Sequence, residues 1–139
     1  MKTTSDDHPG TAFSVFHVQS DSLEANDVHA HAEHTVAFLA AGTLRMAHGT
    51  TLSVPAGTAL VIPAGVPHQL LGGSRLDIWG VSFCGACFQL TESRPLMRIF
   101  GLVRRGIFPA FEIPAERRGR VMQLFSFLEQ DQQDTTEHS

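Results

Sequence analysis

A β-sandwich or barrel followed by two helices is the fold this sequence predicts, on three observations. Residues 13 to 83 break into short runs rich in β-branched and aromatic residues. Turn formers punctuate those runs at Ala41-Gly42, His48-Gly49, Pro55-Ala56-Gly57, Pro63-Ala64-Gly65 and Gly72-Gly73. After Phe83 the period changes, and apolar residues recur at helical spacing. A chain of 139 residues fits one domain with a buried core.

Taken in order, residues 1–12 are polar, contain Pro9 and Gly10, and read as a flexible arm. FSVFHVQ alternates as a first strand, and VHAHAEHTVAFLA, TLRMAH, TTLSV, TALVI, VPHQLL and RLDIWGVSF supply the next ones. The barrel is expected over residues 13–92. In SRPLMRIFGLVRR, Ser93 is placed to cap a helix that carries Leu96, Ile99, Phe100 and Val103 on one face. RRGIFPAFEI reads as an extended connection. PAERRGRVMQLFSFLEQDQQ opens on Pro114 at a first helical turn. Its stripe of Val121, Leu124, Phe125 and Leu128 is too apolar to stay wet, so it either covers the barrel or forms a dimer interface. Residues 93–132 thus form a helical segment, and residues 133–139 a polar tail that would begin a linker.

Charge and composition narrow the partners. The formal net charge is −4 with only ten Lys and Arg, which argues against this chain alone gripping a nucleic-acid backbone. No apolar run approaches the roughly 20 residues that span a bilayer, and MKTTSDDHPGTAF lacks the apolar core of a signal peptide. The expected address is the cytoplasm, where Cys84 and Cys87 would be reduced thiols. Their C-x-x-C spacing also suits a redox pair or half a zinc site, but no second C-x-x-C completes one.

The chemistry concentrates in VHAHAEHTV, residues 28–36. On a strand, residues two apart share a face, so His29, His31, Glu33 and Thr35 line one wall while His34 faces the other way. His68, after the Pro-rich turn of GTALVIPAGVPHQL, is a fourth candidate. Three imidazoles from His29, His31 and His68 would suit Zn, Fe, Ni or Mn. The alternative is a metal-free pocket whose histidines hydrogen-bond a small molecule.

His29-x-His31 with Gly42 resembles the first motif of the cupins, and Gly57, Pro63, Gly65 and His68 resemble the second. In metal-binding cupins an acid stands seven residues before the closing glycine; here that position is Thr35. Glu33 would replace it only through a shifted or bulged strand. The span from residue 13 to 132, with IPAGVPHQL and the step from a strand ending in Phe to two helices, resembles the N-terminal effector-binding and dimerisation domain of AraC-type transcription regulators. That resemblance implies a cupin barrel, a small-molecule effector such as a sugar or an aromatic or organic acid, and a homodimer. It implies DNA contact only through a C-terminal helix-turn-helix part beyond this chain.

The expected effector-lining residues are His29, His31, Glu33, Thr35, His68 and Trp79, with Arg45 as a further candidate. No catalytic residue is assigned, and the chain is expected not to be an enzyme. A three-histidine metal-dependent dioxygenase or isomerase is the alternative. No phosphate loop, nucleotide fingerprint or Ser-His-Asp pattern is present in the sequence.

Overall fold

Two long antiparallel strands form the spine of the protein: β2, His34–His48, and β5, Gln69–Phe83. The computed structural model describes residues 13–28, 30–88, 90, 91 and 93–138; the arm expected over residues 1–12 and the candidate His29 lie outside them. β5 pairs with β2 on one side and with β1, Phe13–Leu23, on the other. The distal half of β2 pairs with β3, Thr50–Pro55, and its proximal half with β4, Thr58–Ile62. The described sheet runs β1-β5-β2-β4-β6, with β3 branching from β2.

The last of these strands, β6, Ala110–Glu112, comes from the segment expected to be only a connection between helices. It pairs with β4 through Thr58↔Glu112 and Leu60↔Ala110. β4 is paired on its other side by β2, and β6 covers the edge that would otherwise present open backbone groups.

Two expected turns are absorbed into strands. Ala41-Gly42 lies inside β2, where the register with β5 shifts between Leu39 and Ala41 and again before Thr43. Each shift is an irregularity that changes which side chains face inward. Ala37 and Leu39 point into the main core before it, and Leu44 and Met46 after it. Gly42 sits at φ 88°, and a side chain there would fall onto the backbone carbonyl oxygens of Ser74 and Arg75. Gly72-Gly73 is likewise inside β5, opposite Arg45 and Leu44 of β2. The pairing of both flanking strands keeps these glycines in the ladder.

Three apolar clusters follow from the alternation. The inner one joins Ala37, Leu39, Leu44, Met46, Val54, Leu60, Ile62 and Leu76. On the outside, α1, Arg98–Arg104, places Phe100 and Val103 with Met97 against Val61. A short 3-10 turn, Pro95–Met97, precedes α1, and no side chain caps it. Ser93 instead bonds Thr91 through their hydroxyls at 2.8 Å, so the expected capping role is not used. The Leu96 side chain lies outside the described ones.

The third cluster lies under α2, Ala115–His138, where Phe125 meets Phe38 and Trp79. The expected polar tail begins inside this helix, which continues through residue 138. Its far end is tied to the barrel by an amide clamp. Gln132 Oε1 accepts the Val15 N–H at 2.7 Å, and Gln132 Nε2 donates to Val15 O at 3.3 Å. The side chain thereby completes the hydrogen bonding of a β1 residue as a neighbouring strand would.

Among the described residues, no helix is long and apolar enough to cross a membrane.

Candidate functional site

The run VHAHAEHTVAFLA is strand only in part: β2 begins at His34, and the described residues of 24–33 lie outside any strand. The segment is nevertheless pinned beside the start of β5. Asn26 N donates to Leu70 O at 2.9 Å, Leu70 N donates to Asn26 Oδ1 at 2.9 Å, and Gln69 Nε2 donates to Asn26 O at 2.8 Å. Further along, Gly65 N donates to His31 O at 2.8 Å. Asn26 acts as a side-chain substitute for ladder bonds that an irregular segment cannot make itself. These bonds carry His31 alongside the turn that precedes His68.

The result is the pairing the sequence spacing implied. The rings of His31 and His68 lie 4.9 Å apart, tilted by 41°. His68 is buried, and its Nδ1–H donates to Val66 O at 3.3 Å. A neutral ring with its proton on Nδ1 carries its lone pair on Nε2, the arrangement that suits a ligand nitrogen or an acceptor for a bound hydroxyl.

Thr35 is buried on the inner face of β2, with the parity of Ala37 and Leu39. Its hydroxyl lies 2.9 Å from that of Ser82, its partner across β5. Ser82 was not among the expected site residues. It could have been found by pairing HTVAF antiparallel with WGVSF, since both end strands at the same edge. Two hydroxyls stand where a metal-binding barrel would place a carboxylate, and hydroxyls donate and accept equally well.

Glu33 is half-buried, and its Oε2 is enclosed without a hydrogen-bond partner among the described residues. Among the described residues, no three His, Cys, Asp or Glu side chains are grouped to hold a metal ion. Whether a trio forms therefore turns on His29, outside the described residues. The two described imidazoles, with an Nε2 lone pair on His68, fit part of a metal's donor set.

The remaining candidates lie elsewhere. His34 faces outward as parity requires, buried under α1, 4.7 Å from the Phe100 ring and 5.5 Å from that of Phe83. Its Nδ1 accepts the Ala64 N–H at 3.0 Å. Trp79 departs from its expected place in the pocket. Its β5 parity is that of Val81, so it faces outward, stacked on His17 at 3.6 Å with Phe125 of α2 beyond. His17 in turn meets Asp77. Arg45 is exposed on β2 with parity opposite to Leu44 and Met46, as a solvated side chain.

A direct check exists for Trp79, whose Nε1 is buried with no acceptor among the described residues. Trp79→Phe loses some packing but removes a buried unsatisfied donor, so unfolding stability should change by no more than about 1–2 kcal/mol. Urea unfolding of the variant against the parent protein measures the change.

Cys84 and Cys87 correct an expectation. They are joined as a disulfide, with Cα atoms 5.3 Å apart, instead of standing as reduced thiols. A short 3-10 turn, Ala86–Phe88, folds the chain back within three residues, inside the Cα separation a disulfide requires.

No protein-family model matches the chain, and no curated protein sequence matches it. Solved structures do. An apo K231A form of ToxT from Vibrio cholerae has a TM-score of 0.54 at 8% identity, covering 85% of this chain and 48% of that one. This chain therefore spans about half of that protein's length. A cupin-2 domain protein from Shewanella frigidimarina has a TM-score of 0.46 at 23% identity, covering 55% of this chain and 76% of its own. The polyketide cyclase RemF from Streptomyces resistomycificus has a TM-score of 0.47 at 20% identity, covering 58% and 60%.

The fold is the expected mainly β architecture followed by two C-terminal helices. These likenesses also correct the expectation that the chain is not an enzyme. Solved structures similar to this chain include enzymes, the cyclase RemF and a Bacillus subtilis oxalate decarboxylase among them.

Proposed function

We propose that this chain is the small-molecule-binding and dimerisation domain of an AraC-type transcription regulator. The observation that carries this reading is the division of α2 into two faces. Val121 and Phe125 pack on the barrel, whereas Leu124, Phe127 and Leu128 remain exposed. Of the four residues expected at a dimer interface, Phe125 and Val121 therefore serve the fold. Leu124 and Leu128, joined by Phe127, are left for a second copy of the chain.

The effector would meet His31 and His68, with the Thr35–Ser82 hydroxyl pair and Glu33 as further polar contacts. Imidazole, hydroxyl and carboxylate groups together suit a polyhydroxylated or aromatic-acid ligand. Because Thr35 and Ser82 belong to β2 and β5, which also carry the bed of α2, ligand and dimer can be coupled. An effector with different affinity for two arrangements of that helix would shift the dimer between them. DNA would be engaged by a separate helix-turn-helix part.

The test is a thermal-shift screen of sugars and aromatic acids. A true effector at about a hundred times its Kd should stabilise the protein by about 2.7 kcal/mol. His68→Ala should abolish the shift while leaving the fold intact by circular dichroism. A panel without any stabilising compound, on a protein that sediments as a monomer, would remove the reading.

A second reading rests on the 4.9 Å approach of His31 to His68. Those rings, joined by His29, would hold a divalent ion such as Zn, Fe, Ni or Mn, which would supply Lewis-acid or redox chemistry. Elemental analysis of tag-free protein distinguishes the two: stoichiometric metal, lost in His68→Ala, favours this reading.

A further inference from the structure

The Cys84–Cys87 turn is apart from the His31–His68 pair but is connected to it by contacts. Cys84 is half-buried and Cys87 exposed, so Cys87 is the more accessible of the two. The Cys87 N–H donates to Cys84 Sγ at 3.1 Å. Between them, Gly85 is buried and leaves no room for a side chain: a Cβ there would lie 2.8 Å from Leu90 O and 3.1 Å from the edge of the His34 ring. Leu90 N donates back to Gly85 O at 2.7 Å and closes the turn.

His34 extends the connection. Its Nδ1 holds Ala64 N–H, and Arg104 Nη2 donates to Ala64 O at 2.7 Å. The next residue, Gly65, donates to His31 O. One unbroken series of packed and hydrogen-bonded groups thus runs from the disulfide turn, through Gly85 and His34, to the turn that positions His31 and precedes His68.

We propose that Cys84–Cys87 is a reversible thiol–disulfide site for low-molecular-weight thiols, and that its state sets the order of the 63–65 turn beside His31. In reduction, an external thiolate attacks the exposed Cys87 Sγ. The S–S bond breaks, and Cys84 leaves as a thiolate held by the Cys87 N–H. A second external thiol then attacks the external sulfur of the mixed disulfide. It releases Cys87 and forms the external disulfide, and protons from the two thiols end on Cys84 and Cys87. Two electrons pass from the two thiols to the protein, and oxidation by an external disulfide runs the same steps backwards. Without the cross-link, the Ala86–Phe88 turn keeps only the Leu90–Gly85 hydrogen bond, Gly85 can withdraw from His34, and the hold on Ala64 weakens.

The experiment uses the full chain in glutathione buffers of graded ratio, with alkylation under native conditions and native-state hydrogen exchange. Millimolar reduced glutathione should expose two alkylatable thiols without unfolding, and oxidised glutathione should close them again. In the reduced protein, the amides of Ala64 and Gly65 should exchange at least about tenfold faster, while those of the β2–β5 ladder should not change. Cys87→Ser should show the fast exchange in both buffers. A bond that yields only when the protein is denatured, or that does not re-form, would overturn the switch. Equal exchange at Ala64 and Gly65 in both states would overturn its transmission to the pocket.

Discussion

Phe125→Ala should destabilise the protein by about 3–5 kcal/mol, the range for truncating a buried aromatic side chain. Phe125 is 7% exposed and fills the space between α2 and the outer wall of β2 and β5, where Phe38 and Trp79 lie. Its removal leaves a cavity that α2 cannot close, because the helix is fixed further along by the Gln132 clamp on Val15. Leu124 and Phe127 are neighbours of Phe125 on the same helix but are 56% and 62% exposed. Leu124→Ala and Phe127→Ala should therefore change unfolding stability by less than about 0.5 kcal/mol when measured on the monomer. Under the proposed dimer, the same two variants should weaken association, read by sedimentation over a concentration series. The contrast separates the two faces: loss of fold at Phe125, loss of partner at Leu124 and Phe127. Equal destabilisation by all three would mean that α2 is packed differently.

Gly42→Ala should cost about 3 kcal/mol or more, from two additive sources. The backbone stands at φ 88°, which L side chains resist, and the added Cβ would meet the carbonyl oxygens of Ser74 and Arg75. These are backbone atoms of the partner strand, so they cannot swing aside as a flexible side chain would. Gly49→Ala supplies the control. It shares a positive φ, 76°, but has nothing within 4 Å of an added Cβ. Its cost should be the backbone component alone, about 1–2 kcal/mol. Guanidinium unfolding of both variants measures the difference. If Gly42→Ala proved no worse than Gly49→Ala, the close approach of β2 to β5 at the register shift would be disproved.

That register shift marks a limit of reading structure from sequence. Ala41-Gly42 and Gly72-Gly73 carry turn chemistry, and nothing local distinguishes a glycine that reverses the chain from one that lets two strands approach. The decision belongs to the strands on either side. VHAHAEHTV shows the complementary limit. Its alternation put His34 correctly on the face opposite Thr35, but the same pattern was extended to residues 28–33, of which the described ones lie outside any strand. There the ladder is replaced by Asn26, whose side chain bonds Leu70, and by the bond from Gly65 to His31. A polar side chain can imitate a strand without leaving a periodic trace.

Strand and helix types, the Pro-Ala-Gly turns, the outward face of His34 and the approach of His31 to His68 were legible in the sequence by itself. Each follows from local propensity, from parity or from a fixed motif spacing. Tertiary structure alone decided the rest. It put Trp79 outside under α2, paired Thr35 with Ser82, returned residues 110–112 to the sheet as β6, and divided the stripe of α2 between barrel and solvent. It also joined Cys84 to Cys87, which composition had left as thiols. All of these depend on which distant segment occupies the adjoining space, and one-dimensional periodicity carries no record of that.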